Sequence, residues 1–202
     1  MYKKILNYGV RRLFVRFFIY IFLYLKKFFY LYFFSDNNQK KITLKSFFQP
    51  VQFIGRGRVE VDPSCKIGVW PSPNLLSTNG YLEARNKHSF IKIGKKTFIN
   101  NNITIIADRS SITIGDECLI GPNVCIFDSN FHGLEIENRL NGNYECAPVF
   151  IGDQVFIGAN VTILKGVSVG DGAVIGNGSV VVKNIPPKTV FAGVPAKLIK
   201  EL

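Results

Sequence analysis

The chain of 202 residues holds two histidines, His88 and His132. His132 sits in the run DSNFHG, and an imidazole with an ordinary pKa of about 6.5 can take up a proton near neutral pH. Asp128 lies four residues earlier. Its carboxylate could hold the ring in the tautomer that leaves one nitrogen free, so the pair reads as a general base with its orienter. Glu145 is a second candidate orienter in the same stretch. His88 has no such setting and reads as structural or exposed. The four cysteines (Cys65, Cys118, Cys125 and Cys146) form no CxxC pair and no zinc-ligand spacing with either histidine. No metal site is expected, and the thiols read as buried or idle in a reducing cytosol.

The elements that must position His132 show in the spacing of the aliphatic residues. Ile151, Ile157, Ile163, Val169, Ile175 and Val181 fall six apart. Val149, Val155, Val161, Val167, Ala173 and Ser179 keep the same interval two residues earlier. Ile114, Ile120 and Ile126 continue it toward the N-terminus, as do Ile93, Ile99 and Ile105, with Ile54, Val61 and Ile67 as a weaker first round. Helical periodicity would place apolar residues at i, i+3, i+4 and i+7. A period of six fits short strands separated by glycine-bearing turns. Three hexads close a triangular round of about eighteen residues, and such rounds bury their aliphatic rungs only by stacking. The expectation is a mainly β fold, a parallel β-helix of about five rounds. Ile, Val and Gly there are scaffold, so chemistry belongs where the period breaks. The breaks are Gly68 to Phe90, Ala107 to Ser111 and, largest, Asp128 to Pro148, which carries His132.

The first residues differ in kind from the rest. Residues 1–45 contain ten Lys or Arg and one acid, whereas the remainder is nearly neutral. Sixteen of the 27 aromatic residues lie in the first 48. The longest uncharged run there is Phe17–Leu25, short of the roughly 20 residues of a spanning helix. A span from Leu13 to Phe34 would put Lys26 and Lys27 in hydrocarbon. No cleavable signal is read, since charges recur throughout. On a helix, Lys4, Arg11, Arg12, Arg16, Lys26 and Lys27 share an arc of about 160°, opposite Phe, Leu, Ile and Tyr. That pattern predicts an amphipathic aromatic and basic helix lying at an anionic membrane surface through residues 1–34, basic side toward the headgroups. Its phenylalanine content argues against nucleic acid as the partner. The expected division is a membrane-associating helix and connector over residues 1–50 and the repeat domain over 51–202.

The hexads ITIGDECLIGPNVCIF and VFIGDQVFIGANVTILKGVSVGDGAVIGNGSVVVKNIPP, with the ending AGVPAKLIK, resemble the hexapeptide-repeat acyltransferases, within them the galactoside/maltose O-acetyltransferase-like group. The resemblance covers roughly residues 90–202 and is weaker from 51. It implies a left-handed helix, an exception to the usual right-handed crossover. It also implies a homotrimer with acyl-coenzyme A in a groove between subunits. By the same resemblance His132 is the catalytic base and Asn100, with Asn102 as its neighbour in the alignment, contacts the acceptor. Ala159 and Asn177 line the pantetheine arm, Val182 and Lys183 lie near the cofactor, and Lys197 and Lys200 lie close to its phosphates. Two features depart from the group. The short helical cap before the repeats is replaced by the aromatic segment, and Phe131 and Gly133 flank His132 in place of a Gly-His-Pro setting.

The resulting expectation is an acetyl-CoA-dependent O-acetyltransferase acting by direct transfer on a sugar hydroxyl of a surface polysaccharide or glycan precursor. The acceptor would be a small-molecule or lipid-linked sugar, and the protein cytoplasmic and peripheral at the inner membrane face. An N-acetyltransferase on a nucleotide-linked amino sugar and a non-enzymatic, membrane-associated β-helical adaptor are the alternatives.

Overall fold

The computed structural model describes residues 2–202, with side chains from Gly9 onward, so Lys4 of the basic arc lies outside the described side chains. Three sheets form the faces of a triangular prism. The first face stacks Lys40–Lys41, Arg58–Val61, Phe90–Ile93, Ser111–Ile114, Val149–Ile151 and Ser168–Val169. The second stacks Lys66–Ile67, Phe98–Ile99, Leu119–Ile120, Phe156–Ile157, Val174–Ile175 and Thr189–Gly193. The third stacks Val51–Ile54, Gly80–Ala84, Thr104–Ala107, Cys125–Phe127, Thr162–Ile163 and Val180–Val181. The chain visits the third, first and second faces in turn and completes five rounds between Val51 and Ile175. Strand Ala196–Glu201 folds back antiparallel on Thr189–Gly193 and ends the second face.

The six-residue period becomes vertical stacking. Ile151 pairs with Val169, Ile157 with Ile175 and Ile163 with Val181, one round apart on the three faces. All six are buried. Each contributes about 1.5–3 kcal/mol by leaving water, and β-branching suits these short pleated segments. Turn chemistry fixes the corners. Asn102, Asn123 and Asn160 all take positive φ, a conformation asparagine tolerates better than most residues. Their amides form a ladder, Asn102 donating to Asn123 and Asn123 to Asn160. The glycine of each Ile-Gly-Asp step is a steric need: a Cβ on Gly152 would lie 2.1 Å from the Asp171 carboxylate. That carboxylate accepts the Asp153 N–H at 2.8 Å.

Two details differ from the spacing. In the first round the inward rung is Phe53, not Ile54: Phe53 pairs with Leu82, which pairs with Ile105. A strand turns successive side chains to opposite sides, so a slip of one residue sends Ile54 outward. The break after Gly68 also contains a full strand, Gly80–Ala84.

A helix, α1 (Tyr2–Tyr32), precedes the prism. Leu23 is buried against the body, Leu31 packs against the core, and Tyr20 meets Phe48 edge-on. Lys26 donates to the carbonyls of Leu76 and Thr78, both at 3.2 Å, and Lys27 to that of Phe47 at 3.1 Å. The basic arc therefore does not turn as a whole to solvent: these two ammonium groups cap carbonyls that the first rounds leave without a partner. Burial lowers both amines. Phe14, Phe17, Phe18, Phe28, Phe29 and Tyr32 are exposed, as are Arg11, Arg12 and Arg16. No helix among the described residues is long and apolar enough to cross a membrane. The segment after α1 is bonded into the first round. Ser35 Oγ accepts from Phe53 N, Asp36 from Gly55 N, and Asn37 donates to the Gly57 carbonyl. Sheet pairing starts at Lys40–Lys41, ahead of residue 50.

Candidate active site

The excursion between Cys125–Phe127 and Val149–Ile151 leaves the prism where the third face turns into the first. Its base is closed by Ala147 N donating to Asp128 O at 2.8 Å and Asn130 N to Glu145 O at 3.2 Å. Inside it, Ile136–Asn138 makes one 3-10 turn. Gly133 lets that turn come close, because a Cβ there would lie 2.4 Å from Asn138 Cβ and 2.6 Å from its carbonyl oxygen. The approach brings the Arg139 carbonyl to 2.8 Å from Nδ1 of the exposed His132. A carbonyl only accepts, so Nδ1 carries the proton and Nε2 of the neutral ring has a free lone pair.

The orienting group is thus a backbone carbonyl, and the assignment of that role to Asp128 is corrected. Asp128 is fully buried. Its Oδ1 accepts the Asp108 N–H at 2.7 Å and its Oδ2 the Ser110 N–H at 2.8 Å. It clamps the three-residue insertion at Ala107 to Ser111, and both oxygens are committed. Burial pushes its carboxyl up, against the pull of those N–H groups. Glu145 is no substitute: its carboxylate pairs with Lys165 at 2.7 Å.

Beneath the loop lies a cluster that residue spacing does not reveal. Arg85 bonds Glu83 through Nε at 2.6 Å and lies 3.7 Å from the buried Asp108. Tyr81 donates to the second oxygen of Glu83 at 2.9 Å and is pushed up to about 12, by burial first and then by that bond. Arg109 donates to the Gly142 carbonyl at 3.0 Å and stacks over Tyr144. The insertion at Ala107 to Ser111 marks this place in the sequence, but Arg85 is hidden at the end of an unread strand.

The other expected residues fall at two corners of the prism and on its terminal strand. Asn100, Ala159 and Asn177 lie where the second face turns into the third. Asn100 Oδ1 accepts from Ser72 Oγ and from Asn101 N, both at 2.8 Å, and Asn177 Oδ1 accepts the Ala159 N–H. Asn102 is part of the corner ladder. Val182 and Lys183 lie at the His132 corner, both exposed. Lys197 and Lys200 are exposed on the terminal antiparallel strand. No ion pair among the described residues occupies these three lysines. Within one chain the set is therefore divided: His132 with Val182 and Lys183, and Asn100 with Ala159 and Asn177, stand on different corners. His88 is exposed and lies at the same corner as His132, between Gly80–Ala84 and Phe90–Ile93, two rounds before the excursion.

A three-faced parallel β-helix with a histidine looped out at one corner defines a class of repeat proteins, and the comparisons place the chain within it. Residues 111–139 and 148–183 match the hexapeptide repeat of succinyl-transferase. Galactoside O-acetyltransferase of Escherichia coli K12 is 46% identical over 114 residues, 56% of this chain and 55% of that protein. The chain spans about half the length of that relative. A galactoside acetyltransferase structure in complex with coenzyme A is 46% identical, with TM-score 0.52 and 55% of each chain covered. The polySia-specific acetyltransferase NeuO is 32% identical, with TM-score 0.62 over 75% of this chain and 66% of that one. A maltose O-acetyltransferase from Clostridium difficile 630 is 31% identical, with TM-score 0.52 over 78% and 71%. The chain belongs to the hexapeptide-repeat acyltransferases, beside the galactoside and maltose O-acetyltransferases, and its β-helix is left-handed as in that family.

Proposed function

We propose that the protein is an acetyl-CoA-dependent O-acetyltransferase acting on a sugar hydroxyl, with His132 as general base. The observation that carries this reading is the 2.8 Å bond from His132 Nδ1 to the Arg139 carbonyl, which leaves Nε2 free on a loop outside the scaffold. Nε2 takes the hydroxyl proton as the acceptor oxygen attacks the thioester carbonyl carbon. The carbon–sulfur bond breaks, and the imidazolium returns the proton to the departing thiolate. No covalent enzyme intermediate is required.

The site is assembled between chains. Asn100, Ala159 and Asn177 on one corner and His132 on another meet if a homotrimer sets one corner of each subunit against the next, a closed heterologous ring. Acetyl-CoA would lie in that seam, its pantetheine arm along Ala159 and Asn177 and near Val182 and Lys183. Lys197 and Lys200 suit its phosphates as point charges. Galactoside and polySia acetyltransferases among the similar proteins support a sugar acceptor. The exposed aromatic side of α1, with Arg11, Arg12 and Arg16, supports attachment of residues 1–34 to an anionic membrane surface at its cytoplasmic face. The role fits a surface-polysaccharide or lipid-linked precursor. The aromatic side, not the Lys26 and Lys27 side, would enter the interface.

His132→Ala should reduce turnover on the order of 10²–10⁴-fold while coenzyme A still raises the melting temperature. Turnover near that of the parent removes His132 from the chemistry. A protein whose melting temperature does not respond to coenzyme A is not this enzyme.

A further inference from the structure

Phe131, the residue before His132, has φ of 63°. That region is disfavoured for a bulky side chain and is the usual province of glycine. The ring is held on two sides. Phe127 meets it edge-on, with centroids 5.6 Å apart and planes at 78°. The Arg85 guanidinium lies 5.1 Å from its centroid, within cation–π range. Arg85 is itself fixed, its Nε and Nη2 donating to the two oxygens of the nearly buried Glu83 at 2.6 and 3.3 Å. A rare backbone conformation thus persists next to the reactive ring because its neighbours over-determine it, an arrangement that gathers at functional sites.

We propose that Phe131 and Arg85 are positioning residues for His132: the clamped phenyl ring fixes the backbone from which the imidazole departs and so aims Nε2. This rests on His132 as the base. The chain of contacts runs from Glu83 to Arg85, from Arg85 to the Phe131 ring, and along one peptide bond to His132. The Arg139 carbonyl fixes the ring's rotation, and Phe131 fixes where the ring starts. Neither positioning residue touches substrate.

Phe131→Gly separates aiming from packing. Glycine accepts the same φ without strain, so removing the ring should leave the melting temperature about unchanged. kcat should nevertheless fall tenfold or more, because reacting groups tolerate little misplacement, while KM for acetyl-CoA stays as it was. Phe131→Tyr keeps the ring and should restore kcat, and Arg85→Ala should shift kcat in the same direction as Phe131→Gly. With two histidines in the chain, nitrogen-15 spectra resolve His132 directly. The native ring should show the Nδ1-protonated tautomer, and Phe131→Gly a mixture of tautomers. Wild-type kcat and tautomer in Phe131→Gly overturn the proposal, as does a loss of melting temperature with kcat unchanged, or a kcat that Phe131→Tyr fails to restore. The spectra read ring position without turnover. A His132→Ala variant that still turns over therefore refutes the base, while an unchanged tautomer in Phe131→Gly refutes the positioning.

Discussion

Gly133→Ala tests how the His132 ring is oriented. The added Cβ would sit 2.4 Å from Asn138 Cβ and 2.6 Å from Asn138 O, whereas carbon atoms settle at about 3.5–4.0 Å. One obstacle is backbone, so no side-chain rotation relieves it, and the turn Ile136–Asn138 must retreat by about 1 Å. Arg139 follows that turn, so its carbonyl moves too. The contact to His132 Nδ1, now 2.8 Å, would open to about 3.8 Å, beyond hydrogen-bond reach. The imidazole then loses both its rotational hold and its tautomer preference, and a misplacement of this size costs about 10²-fold in rate. The loop contributes no rung to the aliphatic ladder, so the melting temperature should change little. Turnover is followed as coenzyme A thiol released in the presence of an acceptor sugar, beside a calorimetric melt. A Gly133→Ala protein with kcat within about twofold of the parent would refute the carbonyl as the group that orients His132.

Three further outcomes follow from the packing. Ile157→Ala, on a fully buried rung between Ile120 and Ile175, should cost about 2–5 kcal/mol in denaturant unfolding. Asp128→Asn should lower stability by about 1–3 kcal/mol, because an amide can accept only one of the two N–H groups now served; an unchanged melting temperature would deny the clamp. Burial lowers Lys26 and Lys27 from the ordinary 10.5. Between the lowered value and 10.5 the unfolded chain binds more protons than the folded one, so stability rises with pH there. Relative to a Lys26→Met, Lys27→Met double variant, the parent should gain stability as pH approaches 10.5, measured by urea melts at stepped pH.

The scaffold was legible because its rule is local: Ile157 and its counterparts recur at six because each round must put the same kind of residue on the same rung. The rule fails where one residue of phase matters, as at Phe53 and Ile54, and where a strand lacks the hexad pattern, as in Gly80–Ala84. His132 was legible as a histidine outside the period. Its orienter was not, because a main-chain carbonyl belongs to no residue type, and the nearby Asp128 drew the role while its oxygens hold the neighbouring turn. Lys26 and Lys27 read as headgroup contacts since a helical wheel counts charge but not unpartnered carbonyls twenty to fifty-two residues away. Arg85 reaches His132 only through Phe131, a relation visible after folding.

The central claim is that His132 acts across a seam between chains. Its most direct test mixes two impaired variants, His132→Ala and Asn100→Ala, unfolded and refolded together at equal amounts. Each seam needs an intact His132 from one chain and an intact Asn100 from its neighbour, so random assembly should restore about one quarter of the parent activity. Activity that stays at the average of the two variants refolded separately would contradict a shared site.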